Sequence, residues 1–429
     1  MENLVTPKRG KESKHGRTSW YSYYAGFSSS FVENALCLEP RDAATKVLDP
    51  WNGSGTTSQV AFKAGYHALG YDLNPVMVVV AKARTIDSGV SPSIRSILDE
   101  LLEKALQFEP RFDSEPLGAW LEAPGANSFR RIERAIYCLL ISRDDQGNIA
   151  NLSDLASVSS LASFFYVALF RVLRDVLIPF RSSNPTWMKV ASQELRKVVI
   201  SRQEVFAAFR DAVLRMEKDL GADIYFPRLS AENPTLNLAS SNRLPVESES
   251  VDIVITSPPY CTRIDYVIKT APELALLGAT APMVRDLRNR MIGTPTISPR
   301  LPESNAQWGK TCLGVLNSVS SHKSKAARSY YWKTYLQYFA GMNLSIQEID
   351  RTLRPNGKCL LVVQDSYFKD VHVDLAKIMT EFAGQNNWRP IGHTSFISAR
   401  TMAGLNTAAK AYGKPTLPTE SVLAFAKRP

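Results

Sequence analysis

Residues 251–260 read Val-Asp-Ile-Val-Ile-Thr-Ser-Pro-Pro-Tyr, and no other stretch leaves the chain so little freedom. The apolar run predicts a buried strand over Val251–Ile255. Pro258 and Pro259 cannot continue a hydrogen-bonded ladder, so the strand ends abruptly, with the ring of Tyr260 just beyond. Such an end holds backbone carbonyls and the small hydroxyl of Ser257 rigidly at the mouth of a pocket, with a flat face to stack on. A planar ring bearing an exocyclic amine fits there. A plain strand-to-loop exit with a Pro-Pro stop fits this segment equally well when it is taken alone.

A second segment adds weight to the pocket. Lys46–Asp49 reads as a short strand, Pro50–Thr57 as the turn after it, and Ser58–Ala64 as a helix closed by Gly65. Gly53 and Gly55 let the backbone of that turn approach a ligand closely. A second strand, Ala68–Tyr71, ends in Asp72, at the spacing where a carboxylate meets ribose hydroxyls in nucleotide-binding βα units. The turn has neither the three-glycine dinucleotide fingerprint nor the terminal Lys-Ser/Thr of a phosphate loop. A ligand with an adenosine and little phosphate charge is expected, which suits S-adenosylmethionine. A glycine turn serving tight packing is the alternative.

Together these segments resemble the amino-methyltransferases that act on DNA bases. Asp49-Pro50-Trp51-Asn52-Gly53-Ser54-Gly55-Thr56-Thr57 is similar to that family's cofactor motif, with Trp51 where phenylalanine is usual. Thr256-Ser257-Pro258-Pro259-Tyr260 is similar to its catalytic motif, in the Ser-Pro-Pro-Tyr form typical of cytosine-N4 enzymes. Trp20–Ser28 resembles the segment placed over the methionine end of the cofactor. The resemblance covers residues 15–85 and 235–400 in pieces. It implies an α/β fold with a doubly wound, mostly parallel Rossmann-like sheet and a methyl transfer from S-adenosylmethionine to DNA. It assigns Ser257, Pro258, Pro259 and Tyr260 to catalysis, and Phe27, Ser28, Asp49, Trp51, Gly53, Gly55, Thr56, Thr57, Asp72, Asn74 and Thr256 to the cofactor. The family usually has an acid before the catalytic strand, near the adenine. Here that stretch reads Ala239–Pro245, with Ser240 or Asn242 as substitute hydrogen-bonding groups.

Composition agrees with a nucleic-acid partner. In 429 residues, 51 Lys and Arg stand against 41 Asp and Glu, a formal charge of +10 that favours a polyanion. The five cysteines, Cys37, Cys138, Cys261, Cys312 and Cys359, have no paired spacing, so neither disulfides nor a metal site is expected. Cys261, beside the motif, reads as local packing, because transfer to an exocyclic amine needs no covalent enzyme intermediate. The polar, basic start lacks the apolar core of a signal peptide, and no run approaches the ~18 apolar residues of a membrane span. A cytoplasmic, DNA-associated prokaryotic protein is expected. A restriction or defence partner and the oligomeric state stay open.

Along the chain, residues 1–14 (with Lys8, Arg9, Lys11 and Lys14) read as a mobile basic arm. Residues 15–90 and 221–429 read as the catalytic domain, interrupted by a helical insertion over 91–220. In that insertion Ile94, Ile97, Leu98, Leu101 and Leu102 have helical spacing, as do Val205, Phe206, Phe209, Val213 and Leu214, and 161–170 is nearly all apolar. The sheet resumes at Asp223–Phe226 or shortly after. Residues 283–328 form an irregular basic region in which Arg285, Arg288, Arg290, Lys310, Lys323 and Lys325 are candidate phosphate contacts, with Arg300, Arg328 and Trp308 among them. A helix from Tyr335 to Leu353, the turn Arg354–Gly357 and a strand over Lys358–Val363 follow, with Asp365–Tyr367 as candidate pocket lining. Either the insertion or the basic region reads the target.

Three functions fit. The first is cytosine-N4 DNA methylation, with adenine-N6 as the near alternative. The second is methylation of RNA or of a protein amide, and the third is a catalytically silent DNA-binding subunit.

Overall fold

The computed structural model describes residues 4–8, 15–23, 26–37, 44–109, 115–142, 155, 157–182, 184, 187–222, 233–261, 264–397 and 419–429. Nine strands are β1 (Lys46–Asp49), β2 (His67–Asp72), β3 (Thr235–Leu238), β4 (Val251–Thr256), β5 (Leu353–Gln364), β6 (Ser366–Phe368), β7 (Val371–Val373), β8 (Trp388–Ile397) and β9 (Thr419–Lys427). Seven of them form one sheet in the order β3-β2-β1-β4-β5-β9-β8, while β6 and β7 pair as a separate hairpin. β1 to β5 run parallel, and β9 and β8 complete the sheet antiparallel. This is the Rossmann-like, mostly parallel methyltransferase sheet that the sequence leads one to expect.

Alternation along the strands sorts side chains between the two faces. Val47, Ile253 and Ile255 pack with Phe27, Phe31, Val32 and Val60. On those two strands Leu48 and Val254 point the other way, into a cluster with Val315, Phe339, Ile346 and Phe382. Helices therefore cover both faces: α1 (Ser29–Cys37) and α2 (Thr56–Lys63) on the first, and later helices, described below, on the second.

After β2 comes α3 (Pro75–Arg84), with Pro75 at its first turn and Asn74 as its N-cap. The expected helical insertion follows as α4 (Ser91–Gln107), α5 (Ala123–Leu140), α6 (Ser160–Val176) and α7 (Arg202–Ala222). In α4 the residues at the predicted spacing, Ile94, Leu98, Leu101 and Leu102, are buried. Phe164 to Phe170 of α6 are buried on every side, and α6 packs directly on α3. The insertion and α3 share one apolar cluster.

Past the catalytic strand lie α8 (Tyr266–Lys269), α9 (Ala271–Leu276), α10 (Ala281–Arg290), α11 (Lys310–Ser321), α12 (Trp332–Thr352) and α13 (Leu375–Gln385). The region expected to be irregular, 283–328, thus holds most of α10 and all of α11. Cys312, Val315, Leu316 and Val319 give α11 a buried helical stripe, which its serines and glycine obscure in the sequence. Trp308 is a core residue at 4% exposure rather than part of a phosphate-following surface. β5 begins earlier than the expected strand. Val251 pairs with Leu353 and Ile253 with Lys358, so the Arg354–Gly357 turn is an excursion within β5, with Asn356 at φ 66°. Asp223–Phe226, Arg9, Lys11 and Lys14 lie outside the described residues. The described strand preceding the catalytic one is β3.

Candidate functional site

β1 and β4 are sequence-distant neighbours at the point where the strand order reverses. In open α/β sheets that point leaves a crevice beyond the carboxyl ends of the strands. A cleft, open at its mouth, sits there. Both sequence motifs open into it.

The turn after β1 is built by its own side chains. Asp49, 3% exposed, accepts hydrogen bonds on Oδ1 from the Trp51 amide (3.1 Å) and the Thr256 hydroxyl (2.6 Å). Burial pushes the Asp49 carboxyl up to about 6, against the pull of these hydrogen bonds. Asp72, at the end of β2, accepts from the Gly53 amide at 2.9 Å and the Asn74 amide at 2.8 Å. Burial raises its carboxyl to about 6 as well. The two glycines do different work. Gly53 adopts φ 48° facing Tyr23, whereas a Cβ on Gly55 (φ 83°) would lie 2.7 Å from that of Ala81. Gly55 therefore lets α2 pack against α3, and only Gly53 faces the cleft.

Of the residues expected to meet the cofactor, Phe27, Asp49, Trp51, Gly53, Thr56, Asp72 and Asn74 line the cleft. Ser28, Gly55, Thr57 and Thr256 do not line it. Ser28 accepts from the Phe31 amide at the start of α1 (3.2 Å). Thr57 donates to the Ile255 carbonyl (3.1 Å) and Thr256 to Asp49, so these two hydroxyls join the turn to the catalytic strand. The amide of Asn74 is also engaged, capping α3 and donating to the Thr270 hydroxyl at 2.8 Å. Next to the adenine stretch the cleft meets Ala239 and Ser241. It does not meet Ser240 or the exposed Asn242. Ser241 shares a hydrogen bond with Ser345 at 2.8 Å.

Ser257, Pro258, Pro259 and Tyr260 all line the opposite wall. The Pro259 carbonyl accepts from the buried Tyr338 hydroxyl at 2.9 Å. Among the described residues no protein group hydrogen-bonds the Ser257 hydroxyl or the Pro258 carbonyl. Gly293, at φ 79°, brings its backbone so close that a Cβ would stand 2.9 Å from the Tyr260 carbonyl oxygen. Its neighbours Met291 and Ile292, with Tyr266, complete the wall. Sequence reasoning missed these three, because they follow the motif through loops that carry no pattern of their own. Cys261 is buried, and burial holds its thiol well above the ordinary range, as packing requires and nucleophilic attack does not.

Among the described residues no Lys, Arg or His lines the cleft, and two carboxylates do. Asn52 also borders it, with a buried side-chain oxygen that has no hydrogen-bond partner among the described residues. This donor and acceptor set disfavours a pyrophosphate and fits the adenosine and cationic sulfonium of S-adenosylmethionine.

The candidate phosphate contacts divide. Arg288 donates to Asp265 (2.8 and 2.7 Å), a carboxylate 6% exposed. Arg290 pairs with Asp286 at 3.6 Å. Arg263 lies outside the described residues. Arg285, Lys310, Lys323, Lys325 and Arg328 are exposed and form no ion pair among the described residues. The Lys323–Arg328 segment is fastened to the β6–β7 hairpin by His322 to Asp370 (2.8 Å) and Tyr331 against Phe368 (4.7 Å). Asp365, Ser366 and Tyr367 do not reach the cleft. Asp365 is instead bonded to His372 at 2.9 Å.

The chain is 24% identical over 287 residues to the type II methyltransferase M.BsoBI of Geobacillus stearothermophilus, covering 64% of this chain and 55% of that protein. It is 24% identical over 387 residues to the type II methyltransferase M.MvaI of Kocuria varians, covering 84% and 78%. With the type II methyltransferase M.AvaI of Nostoc sp. it is 23% identical over 287 residues, covering 64% and 56%. The matches to M.BsoBI and M.AvaI thus span little more than half of those proteins. No family model matches the chain. Among the described residues no helix is long and apolar enough to cross a membrane, and no group of three His, Cys, Asp or Glu is placed to hold a metal ion.

Proposed function

We propose that this relative of the type II methyltransferases is a site-specific DNA methyltransferase, transferring a methyl group from S-adenosylmethionine to the exocyclic N4 amine of cytosine. The observation that carries the reading is the single cleft shared by the two motifs, with the glycine turn on one wall and Ser257–Tyr260 on the other. Asp72 and Gly53 would hold the adenosyl end, and Tyr23, Gly26 and Phe27 would cover the other. When bound, the cofactor supplies an electrophilic methyl group on a sulfonium.

The chain's own residues then face a specific difficulty. The amine of cytosine is a poor nucleophile, because its lone pair is delocalised into the ring. The Ser257 hydroxyl and the Pro258 carbonyl, which have no protein partner among the described residues, are available to engage that amine and turn its lone pair out of the ring plane. This is catalysis by positioning and preorganised dipoles. Tyr338 and Gly293 fix the backbone on which both groups sit. The base cannot be reached inside a duplex, so it enters flipped or already unpaired, with Tyr260 as the stacking face. The methylated amine sheds its proton to solvent without needing a strong base. The exposed cations Lys323, Lys325 and Arg328, beside the carboxyl ends of the strands, suit a duplex lying across the cleft mouth.

Cytosine is favoured over adenine by Ser257 alone. A hydroxyl both donates and accepts, and cytosine presents ring N3 beside its amine as an acceptor. Adenine N1 occupies a similar place, so adenine N6 is the reading that replaces it if the base is wrong. Incubating the protein with S-adenosylmethionine and mixed duplex DNA, followed by nucleoside mass spectrometry, tests both levels. N4-methylcytosine is the expected product. N6-methyladenine alone would overturn the base and keep the reaction, and no methylated nucleoside would overturn the reaction.

A further inference from the structure

Arg174 belongs to α6 of the helical insertion, yet its guanidinium reaches groups outside that insertion. Nη1 donates to the Ser22 carbonyl at 2.7 Å, Nη2 to the Tyr21 hydroxyl at 2.6 Å, and Nε to the Glu273 carboxylate. The guanidinium carbon lies 3.8 Å from the centroid of the Tyr21 ring. Tyr21 donates in turn to the same Glu273 oxygen at 3.0 Å. Glu273 is fully buried, and its second oxygen has no hydrogen-bond partner among the described residues. From the other side, Arg84 donates to the carbonyls of Thr18 (3.0 Å), Tyr21 (2.9 Å) and Ser54 (2.8 Å). Ser54 lies in the glycine turn itself. Residues 18–22 are therefore clasped between two arginines, and the chain that follows brings Tyr23, Gly26 and Phe27 to the cleft.

We propose that Arg174 is a positioning residue for the cofactor. By fixing Tyr21 and Ser22 against Glu273, it sets how closely Tyr23, Gly26 and Phe27 cover the cleft, and so lets the helical insertion govern cofactor affinity. The proposal rests on reading the cleft as the S-adenosylmethionine site. Stability alone is a poor account of this cluster, because the desolvation of a buried ion pair offsets much of its attraction and apolar side chains would pack as well. A planar guanidinium offers instead several donors in fixed directions. Here three of them meet acceptors on two separate parts of the chain, α9 and the Tyr21–Ser22 stretch that leads to the covering residues. The insertion holds α9 a second time through Arg130, which donates to the carbonyls of Ala275 and Leu276. Arg174 also reaches Tyr21 and Ser22, the residues just before those that cover the cleft.

Titration calorimetry of the full chain with S-adenosylhomocysteine reads the effect without turnover. Arg174→Lys keeps a charge opposite Glu273 but cannot span all three acceptors. Arg174→Met combined with Glu273→Gln removes the buried pair together, so that no uncompensated charge threatens folding. Both variants should weaken S-adenosylhomocysteine binding by about tenfold or more and raise KM for S-adenosylmethionine. Their kcat at saturating cofactor and their affinity for DNA should stay near wild type. Backbone amides of the covering segment should exchange faster with deuterium. Unchanged cofactor affinity in the folded double variant overturns the proposal, as does a fall in kcat with KM untouched. Wild-type protein that binds no S-adenosylhomocysteine would instead sink the reading of the cleft, and this proposal with it.

Discussion

The Thr256 hydroxyl donates a 2.6 Å hydrogen bond to the Asp49 carboxylate, joining the last residue of the catalytic strand to the last residue of the cofactor strand. Thr57 makes the reciprocal tie, from the glycine turn to the Ile255 carbonyl at 3.1 Å. Methyl transfer requires donor and acceptor to be held at a fixed separation, and a small misplacement is costly in rate. On the proposed function, these two buried hydroxyls would set that separation. Neither faces the cleft, so neither needs to touch a ligand to matter.

The Asp49 carboxyl gives a pH test of this joint. Its folded value of about 6 lies above the ordinary 3.8, so the folded chain holds this proton more tightly than the unfolded chain does. Its contribution to stability is fully present below the ordinary value and is lost as pH rises through about 6. Asp49→Asn keeps an oxygen for Trp51 and Thr256 but carries no charge. Thermal unfolding of the variant and the wild type should therefore diverge with pH. The variant should gain relative stability as pH rises from about 4 to just above 6 and little beyond, by up to about 3 kcal/mol if each pKa unit contributes 1.36 kcal/mol. A gap that is flat across this range would show that burial does not penalise the ionised form.

Tyr338 lies outside the motif and touches no ligand, yet it holds the Pro259 carbonyl at 2.9 Å. Tyr338→Phe should cost about 1 kcal/mol of stability for one lost hydrogen bond. Its larger effect should be on kcat, with cofactor affinity unchanged, because the bond steadies the base side of the cleft. Single-turnover rates beside S-adenosylhomocysteine titration separate the two. Equal losses in both would place Tyr338 in general support of the sheet.

Gly55 and Gly53 should part company under substitution. A Cβ at position 55 would lie 2.7 Å from Ala81 Cβ and 2.9 Å from its Cα, on a backbone at φ 83°. Gly55→Ala should thus destabilise the fold by about 1–3 kcal/mol through overpacking. At Gly53 the nearest atom is in the Tyr23 ring, 3.1 Å away, and an aromatic ring at a cleft edge gives way more easily than packed backbone. Gly53→Ala should lower cofactor affinity more than melting temperature. Reversal of that order would exchange the two roles.

The sequence showed the sheet end and the cofactor turn because both are local: prolines stop a strand, and positive-φ glycines shape a turn, within a few residues. It also showed the helices α4 and α6, through the apolar spacing of their buried residues. What stayed hidden depends on distance. Arg84, Arg174 and Tyr338 act on carbonyls tens to hundreds of residues away, and a basic or aromatic side chain gives no sign of such a partner in its neighbours. Trp308 was misplaced for a related reason. It sits in a polar, basic stretch, and only the packing of α11 and α13 over the sheet buries it. Ser28, Thr57 and Thr256 belong to the right motifs, but whether a motif hydroxyl faces the ligand or braces the backbone is decided by side-chain direction, which spacing does not report.

The path of the DNA yields the last prediction. Arg288 is already committed to Asp265, and Asp265 also caps α8 by accepting from the Ile268 amide at 3.0 Å. Arg288→Gln would leave that 6% exposed carboxylate without its cation, costing about 1–3 kcal/mol of stability. Its effect on the salt dependence of DNA binding should be small. Lys323 and Lys325 have no carboxylate to give up, so neutralising both removes only what they offer to phosphates. Each lost phosphate contact lowers the slope of log affinity against log salt by about 0.9, so Lys323→Gln with Lys325→Gln should reduce it by about two and leave melting temperature unchanged. Fluorescence anisotropy of labelled duplex across a salt series, run on both variants, compares them directly. If the slope falls with Arg288→Gln and holds with the lysine pair, the duplex crosses α10 and not the segment that Asp370 and Phe368 fasten to the hairpin.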